Sequence, residues 1–209
     1  MKKIFLLALI LVNCSLSKAQ TQGSFIDARD GKNYATVTYT LLLPDSLISD
    51  IDEYKTYETK SPSSYEIRIN DSLPTSMTWM AENLNFESIE SKCFKDTDEN
   101  CAQYGRLYTW TISQNVCPNG WHLPTDDEWF LLASQYEGVA LAGKHLKSNT
   151  LGGTNKSLFN IKKPSIYWSS SEMNQEYAWD WKVNFRWEKL QRWKGGKNAY
   201  NLVRCVEDY

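Results

Sequence analysis

Residues 117–129 read Cys-Pro-Asn-Gly-Trp-His-Leu-Pro-Thr-Asp-Asp-Glu-Trp, and this stretch predicts a rigid corner between two helices. Thr125 and Glu128 have the spacing of a capping box, in which each side chain accepts a backbone N–H that the first helical turn leaves unpaired. Pro124 keeps the residue before it extended. A helix is therefore expected to begin directly after Thr125.

The helix that follows carries an apolar stripe that the rest of the domain must cover. Its apolar residues fall at i, i+3, i+4 and i+7 and therefore share one face: Trp129, Leu132, Ala133 and Tyr136. Gly138 is expected to end this helix. A first helix is predicted upstream over residues 109–116, with Thr109 as its N-cap.

Strands are predicted on both sides of these helices. A turn at Asp30-Gly31 separates two short extended pieces within residues 25–39. Aromatic residues alternate with other residues from Tyr177 to Glu188, which predicts a half-buried strand. Further strands are expected at 65–69, at 167–172 and, after a reversal at Gly195-Gly196, at 200–206. The order indicates an α+β fold whose terminal strands pair in one sheet.

The composition fits one globular domain. Of the 209 residues, 42% are hydrophobic and 23% are charged, which is enough to bury one sizeable core. We assign this domain to residues 20–209, with an inserted hairpin or loop at about 40–76, where the sequence turns polar and acidic. The 23 basic and 25 acidic residues are interspersed, so the surface offers no field that would hold a nucleic acid.

Residues 1–19 have the pattern of an export signal. Two lysines precede an apolar run over residues 4–12, and a polar stretch ends at Ala19. The apolar run is shorter than the roughly 20 residues that span a bilayer as a helix. We therefore expect an exported protein, secreted, periplasmic or at the cell surface, without an integral membrane segment. A lipid anchor on Cys14 is the alternative, since a cysteine there follows the apolar run.

Removal of the signal leaves four cysteines, and an even number in an exported protein indicates two disulfides. Three pairings are possible. Cys93 and Cys101 flank a short polar loop, which favours a bond between them and leaves Cys117 to pair with Cys205. Free buried thiols are the alternative.

Eight segments resemble, in order, the motifs of one bacterial family. They are DGKNY at 30–34, WMAENLN at 79–85, CAQYGRLYTW at 101–110, CPNGWHLPT at 117–125, EW at 128–129, AGK at 142–144, WSSSE at 168–172 and VRCV at 203–206. The family is the Fibrobacter succinogenes major paralogous domain, a group of exported bacterial proteins. The resemblance implies a structural motif made of Trp79, Asn83, Trp121, His122, Pro124, Thr125, Glu128, Trp129, Trp168 and Glu172.

At a coarser level the arrangement resembles the C-type-lectin-like fold. That resemblance implies two central helices and a mostly antiparallel sheet that joins the N- and C-terminal strands. It also implies that a cysteine of the last strand bridges back to the first helix, and its positions are filled by Cys117, Gly120, Leu123, Thr125 and Cys205. We expect a non-catalytic binding or surface module.

Calcium-dependent sugar binding is not expected. The sites of true C-type lectins cluster oxygen ligands beside a proline, and residues 146–184 contain no Glu-Pro-Asn or Trp-Asn-Asp string. Residues 96–100 open like an EF-hand loop, but Cys101 replaces the glycine at position six and Leu107 the glutamate at position twelve. We predict a solvated acidic loop there, with no bound metal and no cofactor.

Catalysis has no positive support in the sequence. The Leu123-Pro-Thr125 string also resembles formylglycine-generating, sulfatase-modifying enzymes, but those use a close pair of cysteines with copper. Cys205 is the only late cysteine. His122 is expected to form structural hydrogen bonds. An enzyme of the formylglycine-generating group and a structural envelope or adhesion component are the alternatives to a binding module.

The last notable feature of the composition is its tryptophan content, with nine tryptophans in the chain. Trp179 and Trp181 are expected in the core. Trp193 lies in a basic segment that is expected to be an exposed loop, where an aromatic ring can stack on a sugar or anchor a protein. We assign binding of an unknown glycan or protein to Trp187, Arg192, Trp193 and Lys194.

Overall fold

The computed structural model of the chain describes residues 20–41 and 74–209. The predicted export signal, Cys14, the predicted strand at 65–69 and most of the predicted insertion lie outside the described residues. The residues that flank the insertion meet, because the N–H of Leu41 donates to the C=O of Thr75 at 2.9 Å. The two ends of the described chain on either side of the predicted insertion therefore lie next to each other.

The described residues form ten strands and four α-helices, which is the mixed α+β class that the sequence predicts. The strands are β1 (Gln20–Ile26), β2 (Asn33–Thr40), β3 (Ser76–Met80), β4 (Leu107–Tyr108), β5 (Trp121–His122), β6 (Ser165–Glu172), β7 (Tyr177–Val183), β8 (Leu190–Gly196), β9 (Asn201–Leu202) and β10 (Val206–Glu207). The helices are α1 (Asp98–Tyr104), α2 (Trp110–Ser113), α3 (Asp126–Ser134) and α4 (Val139–Leu146). Two 3₁₀ turns cover Phe94–Asp96 and Asn149–Leu151.

The first sheet contains both terminal regions of the domain. Its strand order is β1-β2-β3-β10-β5. β1 and β2 pair antiparallel along their whole length, which confirms the predicted hairpin, and Gly31 takes a φ of 73° in the turn between them. Val206 of β10 pairs with Trp79 of β3 and with His122 of β5. The terminal strands β1 and β10 therefore lie in one sheet as predicted, but they do not pair with each other, because β2 and β3 lie between them.

The second sheet has the order β4-β9-β6-β7-β8, so β8 forms one edge. The long strand predicted from Tyr177 is shorter than expected, since β7 ends at Val183 and a turn follows. The basic segment that was predicted to be a loop is β8, which pairs antiparallel with β7. The reversal predicted at Gly195-Gly196 begins at Gly196, the last residue of β8, whose C=O accepts from the Ala199 N–H at 2.8 Å, whereas Gly195 lies within the strand. A Cβ at Gly195 would lie only 2.7 Å from the Trp168 ring.

The closing strand predicted at 200–206 is divided between the two sheets. β9 joins the second sheet and β10 the first, and the three residues between them are buried. The carbonyls of Val203 and Cys205 accept from the N–H groups of Leu84 at 2.9 Å and Met80 at 3.0 Å. The segment therefore passes from one sheet to the other with these backbone carbonyls paired.

The capping box is confirmed at the start of α3. The Oγ1 of Thr125 accepts from the Glu128 N–H at 3.2 Å, and the Oε2 of Glu128 accepts from the Thr125 N–H at 2.7 Å. The first helix is shorter than the predicted 109–116. Thr109 does precede α2, but its side chain forms no capping hydrogen bond.

The other helices differ from the sequence-based expectation. The predicted apolar stripe of α3 is buried, but the buried face is wider than predicted because it also includes Phe130 and Leu131. Gly138 does not end α3 but precedes α4, a helix that was not predicted. The acidic loop expected around residues 96–101 is partly helical, because it contains the last residue of the 3₁₀ turn Phe94–Asp96 and the first residues of α1.

Aromatic rings pack at the centre of the core between α3 and the sheets. The Trp129 ring lies 4.8 Å from Trp79, 5.5 Å from Tyr167 and 6.1 Å from Trp181, measured between ring centroids. Trp181 is fully buried, as predicted, and so is Trp168. Burying a large apolar side chain contributes about 1.5–3 kcal/mol. The tryptophan cluster therefore dominates the packing.

Both expected disulfides are present. Cys93 is bonded to Cys101 with a Cα–Cα distance of 4.9 Å, and Cys117 to Cys205 with a Cα–Cα distance of 5.9 Å. The second bond spans 88 residues and ties the corner before α3 to the segment between β9 and β10.

Removing the two disulfides should have unequal effects on stability. In the chain-entropy model the cost grows with the length of the closed loop, so the bond of separation 88 contributes about 4–5 kcal/mol and the bond of separation 8 about 2–3 kcal/mol. We expect the Cys117→Ser/Cys205→Ser variant to lose more unfolding free energy in denaturant titrations than Cys93→Ser/Cys101→Ser. Equal losses would contradict this ranking.

Candidate functional site

The predicted binding residues lie in one hairpin, formed by residues 177–196 of β7, its turn and β8, which we call the aromatic hairpin. Trp193 is 56% exposed on β8, and Trp187 is 46% exposed in the turn. Lys194 is exposed as well. Phe185, which was not predicted as a site residue, is 54% exposed in the same turn. Three large rings therefore reach solvent within one supersecondary unit.

Arg192, which is also predicted as a binding residue, does not share the exposed surface of Trp193. Its side chain is 3% exposed, and its Nε donates to Asp126 Oδ2 at 2.6 Å. Asp126 Oδ1 accepts from Trp181 Nε1 at 2.8 Å. The Arg192 guanidinium also lies 3.2 Å from the centre of the Trp179 ring, which is half-buried beneath it. Because side chains alternate across a strand, Arg192 faces α3 while its neighbour Trp193 faces the other way.

The turn of the aromatic hairpin is held from behind by α4. Lys147, which is buried, donates from Nζ to the carbonyls of Asn184 at 3.2 Å and Trp187 at 2.9 Å. Desolvation lowers the pKa of Lys147. Gly143 lets the backbone of Lys189 approach so closely that a Cβ there would clash with it. The rings in the turn therefore stand on a fixed backbone.

Each exposed ring has a cationic side chain beside it. The Lys182 Nζ lies 5.3 Å from the Trp193 ring centroid, and the Lys189 Nζ lies 5.3 Å from that of Trp187. These distances are within the range of cation–π attraction. The hairpin thus combines apolar area with positive charge.

Arg192 and Trp193 are adjacent, yet their replacement should have opposite consequences for stability. Removing one partner of a buried ion pair costs about 3–5 kcal/mol, because the other charge stays buried without compensation. We expect Arg192→Met to lose unfolding free energy of this order, while Trp193→Ala changes it by about 0.5 kcal/mol or less, as exposed residues do. Similar losses in thermal or denaturant unfolding would contradict the assignment of the two faces.

His122 lies at the corner before α3 and joins two chain segments. Its Nε2 is 2.7 Å from Glu128 Oε1, and its Nδ1 is 2.7 Å from Asp208 Oδ1. Hydrogen bonding to Glu128, together with the two negative charges, raises the pKa of His122 to about 9 against the desolvation that opposes it. Protonated at neutral pH, this imidazole is a structural link, as predicted from sequence.

The raised pKa of His122 gives the fold a specific pH dependence. The protonated His122 imidazole stabilises the folded state through its contacts with Glu128 and Asp208. This stabilisation is fully present below the unfolded-state pKa of 6.5 and is lost as the pH rises through the folded-state pKa of about 9. In NMR titrations we expect the His122 imidazole to titrate near pH 9 and Glu128→Gln to lower that midpoint more than Asp208→Asn does. A midpoint near 6.5 in the unmodified protein would contradict the two-carboxylate geometry.

The remaining residues of the predicted motif have structural partners. Asn83 Nδ2 donates to the Tyr104 carbonyl at 2.7 Å, and Trp168 Nε1 donates to the Tyr108 carbonyl at 2.8 Å. Three further motif residues also have partners: the Pro124 carbonyl accepts from the Ser170 N–H at 2.8 Å, Glu172 is ion-paired with Lys197, and the Trp121 ring lies 5.0 Å from Phe25. The motif therefore describes how loops are fastened to the core.

The described residues also bear on metal binding and membrane insertion. Within residues 20–41 and 74–209, no group of three or more His, Cys, Asp or Glu side chains is arranged to hold a metal ion. Over the same residues, none of the helices has the length and apolar character needed to cross a membrane.

Comparison with known proteins places these features in a family. Residues 75–207 match the family described as the Fibrobacter succinogenes major domain. The match covers more than half of the chain and includes every element from β3 to β10. It leaves out β1 and β2, although these strands complete the first sheet. No match to the chain was found among the curated proteins.

Proposed function

This chain belongs to the Fibrobacter succinogenes major domain family, and we propose that it is an exported, non-catalytic module that binds an acidic polysaccharide through its aromatic hairpin. The observation that carries the proposal is the pairing of exposed rings with cations in one hairpin. Trp187 and Trp193 each have a lysine Nζ within 5.3 Å of the ring centroid. Aromatic faces supply large apolar area at small entropic cost. The lysines attract the negative charges of the polysaccharide.

The rigidity of the turn supports recognition by this surface. Lys147 fixes the carbonyls on both sides of the turn residues 185–186. A ligand that meets a preorganised surface loses less free energy to ordering of the protein. The buried pair of Arg192 and Asp126 anchors β8 in the same way from its inner face.

Export is supported by the two disulfides, because such bonds persist in oxidising compartments. The predicted signal over residues 1–19 gives the route, with a lipid anchor on Cys14 as the alternative. We further propose a C-type-lectin-like architecture. The bond between Cys117 and Cys205 agrees with this architecture. It joins the corner before the capped helix α3 to the segment between β9 and β10.

A non-catalytic role is favoured over a formylglycine-generating enzyme. Copper–thiolate chemistry of that kind needs two cysteines that are free to act together, and Cys205 is bonded to Cys117. His122 is held between two carboxylates at the corner, so its ring nitrogens are both engaged. A structural envelope or adhesion role would be consistent with the same fold and would appear as assembly without glycan binding.

Binding should depend on the exposed rings of the hairpin. We expect the protein to bind polygalacturonate in affinity electrophoresis at low salt, and we expect Trp193→Ala and Trp187→Ala each to weaken binding roughly tenfold or more, as for central aromatic contacts. Tyr209→Ala, which removes a ring that is 69% exposed outside the hairpin, is the matched control and should bind normally.

The dependence of binding on salt concentration and on ligand charge tests whether an acidic polysaccharide binds to the aromatic hairpin. Binding should weaken as the salt concentration is raised from about 0.05 M to about 0.5 M, because salt screens the attraction between exposed charges. A neutral polysaccharide should bind more weakly than polygalacturonate. Unchanged binding by both tryptophan variants, or binding of a protein partner alone, would refute the assignment of an acidic polysaccharide to the hairpin.

A further inference from the structure

A cavity outside the aromatic hairpin offers a second candidate site. The cavity has a volume of about 240 Å³ and is formed by the start of β2, the segment after β3, α1 and the loop before β6. Four of the family-like segments meet there, at Asn33, Asn83, Gly105 and Arg204. None of its lining residues belongs to the aromatic hairpin.

Arg204 places a buried positive charge at this cavity. The residue is 2% exposed, its Nε donates to Asn83 Oδ1 at 2.8 Å, and its Nη1 donates to the Phe159 carbonyl at 2.7 Å. Both acceptors are neutral. Within residues 20–41 and 74–209, no ion pair joins Arg204 to a carboxylate, and Glu82 acts on it only through a weaker, longer-range attraction. A buried charge of this kind is costly unless an opposite charge compensates it.

The aromatic surroundings account for only part of this compensation. The Arg204 guanidinium lies 4.4 Å from the centre of the Phe159 ring and 5.6 Å from that of Tyr167. Cation–π attraction contributes about 2 kcal/mol when desolvated, which is less than the several kcal/mol that burying an ion costs. Desolvation lowers the pKa of Arg204. An anion in the cavity would supply the missing charge.

Lysine side chains add to the positive charge of the cavity. Lys163 lies over the rings of Phe94 at 3.9 Å and Tyr104 at 4.0 Å, which fixes its ammonium beside α1. The charged residues that line the cavity are Lys32, Glu82, Lys162, Lys163 and Arg204. Lys32 is paired with Asp30, and Glu82 accepts from the Ala35 N–H. Lys162, Lys163 and Arg204 have no carboxylate partner among the described residues, so positive charge exceeds negative charge in this lining even with Glu82 counted.

We propose that this cavity binds a small ligand through a carboxylate held between Lys163 and Arg204. Guanidinium groups present a planar set of donors that matches a carboxylate, and the asparagines that line the cavity can orient neutral hydroxyl or amide groups beside it. The volume is below the range of about 300–1,000 Å³ that is usual for drug-sized ligands. It therefore suits one sugar acid or the end of a peptide. The proposal does not depend on glycan binding by the aromatic hairpin.

The test compares carboxylates with matched neutral compounds. Isothermal titration or NMR shift mapping would use D-galacturonate against D-galactose, N-acetylglycine against N-acetylglycinamide, and inorganic phosphate. We expect one of the two carboxylates to bind and to shift signals of residues 101–105 and 160–163, while its neutral counterpart does not. The sugar acid and the acylated amino acid distinguish a glycan source from a peptide source.

Variants locate the carboxylate. Lys163→Gln should weaken binding about tenfold, as loss of a charge-assisted contact does, while Lys156→Gln, which removes an exposed lysine outside the cavity, should leave it unchanged. Lys163 is at the surface of its loop, so this variant avoids the folding defect that Arg204→Gln could cause. Trp193→Ala should bind the small carboxylate normally even if it no longer binds polygalacturonate.

Several outcomes would overturn the proposal. They are binding of neither carboxylate more tightly than its neutral counterpart, equal affinity of the Lys163→Gln and Lys156→Gln variants, and absence of binding by folded protein with any of the carboxylates. Binding of phosphate alone would also overturn it, because the cavity would then be selective for a different anion.

Discussion

Both sheets depend on residues 201–207, because this segment supplies a strand to each of them. β9 pairs with β4 and β6, and β10 pairs with β3 and β5. Between these strands, Cys205 is bonded covalently to Cys117 and Arg204 is enclosed by aromatic rings. If this segment shifted, both sheets would lose a pairing partner at the same time. The unity of the domain is therefore concentrated in seven residues near its C-terminus.

The same constraint explains why the two candidate surfaces are different in kind. The aromatic hairpin lies at the edge of the second sheet, where the turn after Val183 has room to display rings to solvent. The cavity lies where the linking segment meets the end of the first sheet, so its cation is buried by the fold itself. The aromatic hairpin offers exposed apolar area, and the cavity offers an enclosed positive charge. A protein of this size can combine both because the aromatic hairpin and the cavity are formed by different residues.

Local features of the fold could be predicted from sequence, and features that depend on distant contacts could not. The capping box of Thr125 and Glu128 and the turn at Gly31 involve neighbouring residues, so their spacing alone predicts them. The helix α1 could have been found from Asp98 and Glu99, since acidic residues in a first turn are a helix signal. α4 begins after a glycine without a side-chain cap and is fixed by tertiary packing, which the sequence does not display.

The site was predicted in part for the same reason. The basic neighbours of Trp193 predict that this residue is exposed. Arg192 was assigned to the same surface because its pairing with Asp126, 66 residues away, cannot be read from a local pattern. A strand reverses the direction of successive side chains, so once the segment is known to be β8 the two residues must separate. The cavity was missed because its lining comes from distant segments that each look only like a family motif.

The contact between Leu41 and Thr75 has a consequence for how this domain tolerates change. Because the backbone is already closed at that place, the length of chain between the two residues adds to the folding cost only through a slowly growing loop-closure entropy. A segment of different length between these two residues would leave the pairing of β2 with β3 unchanged. The end of the β2–β3 ladder is therefore a place at which the domain can accept an insertion.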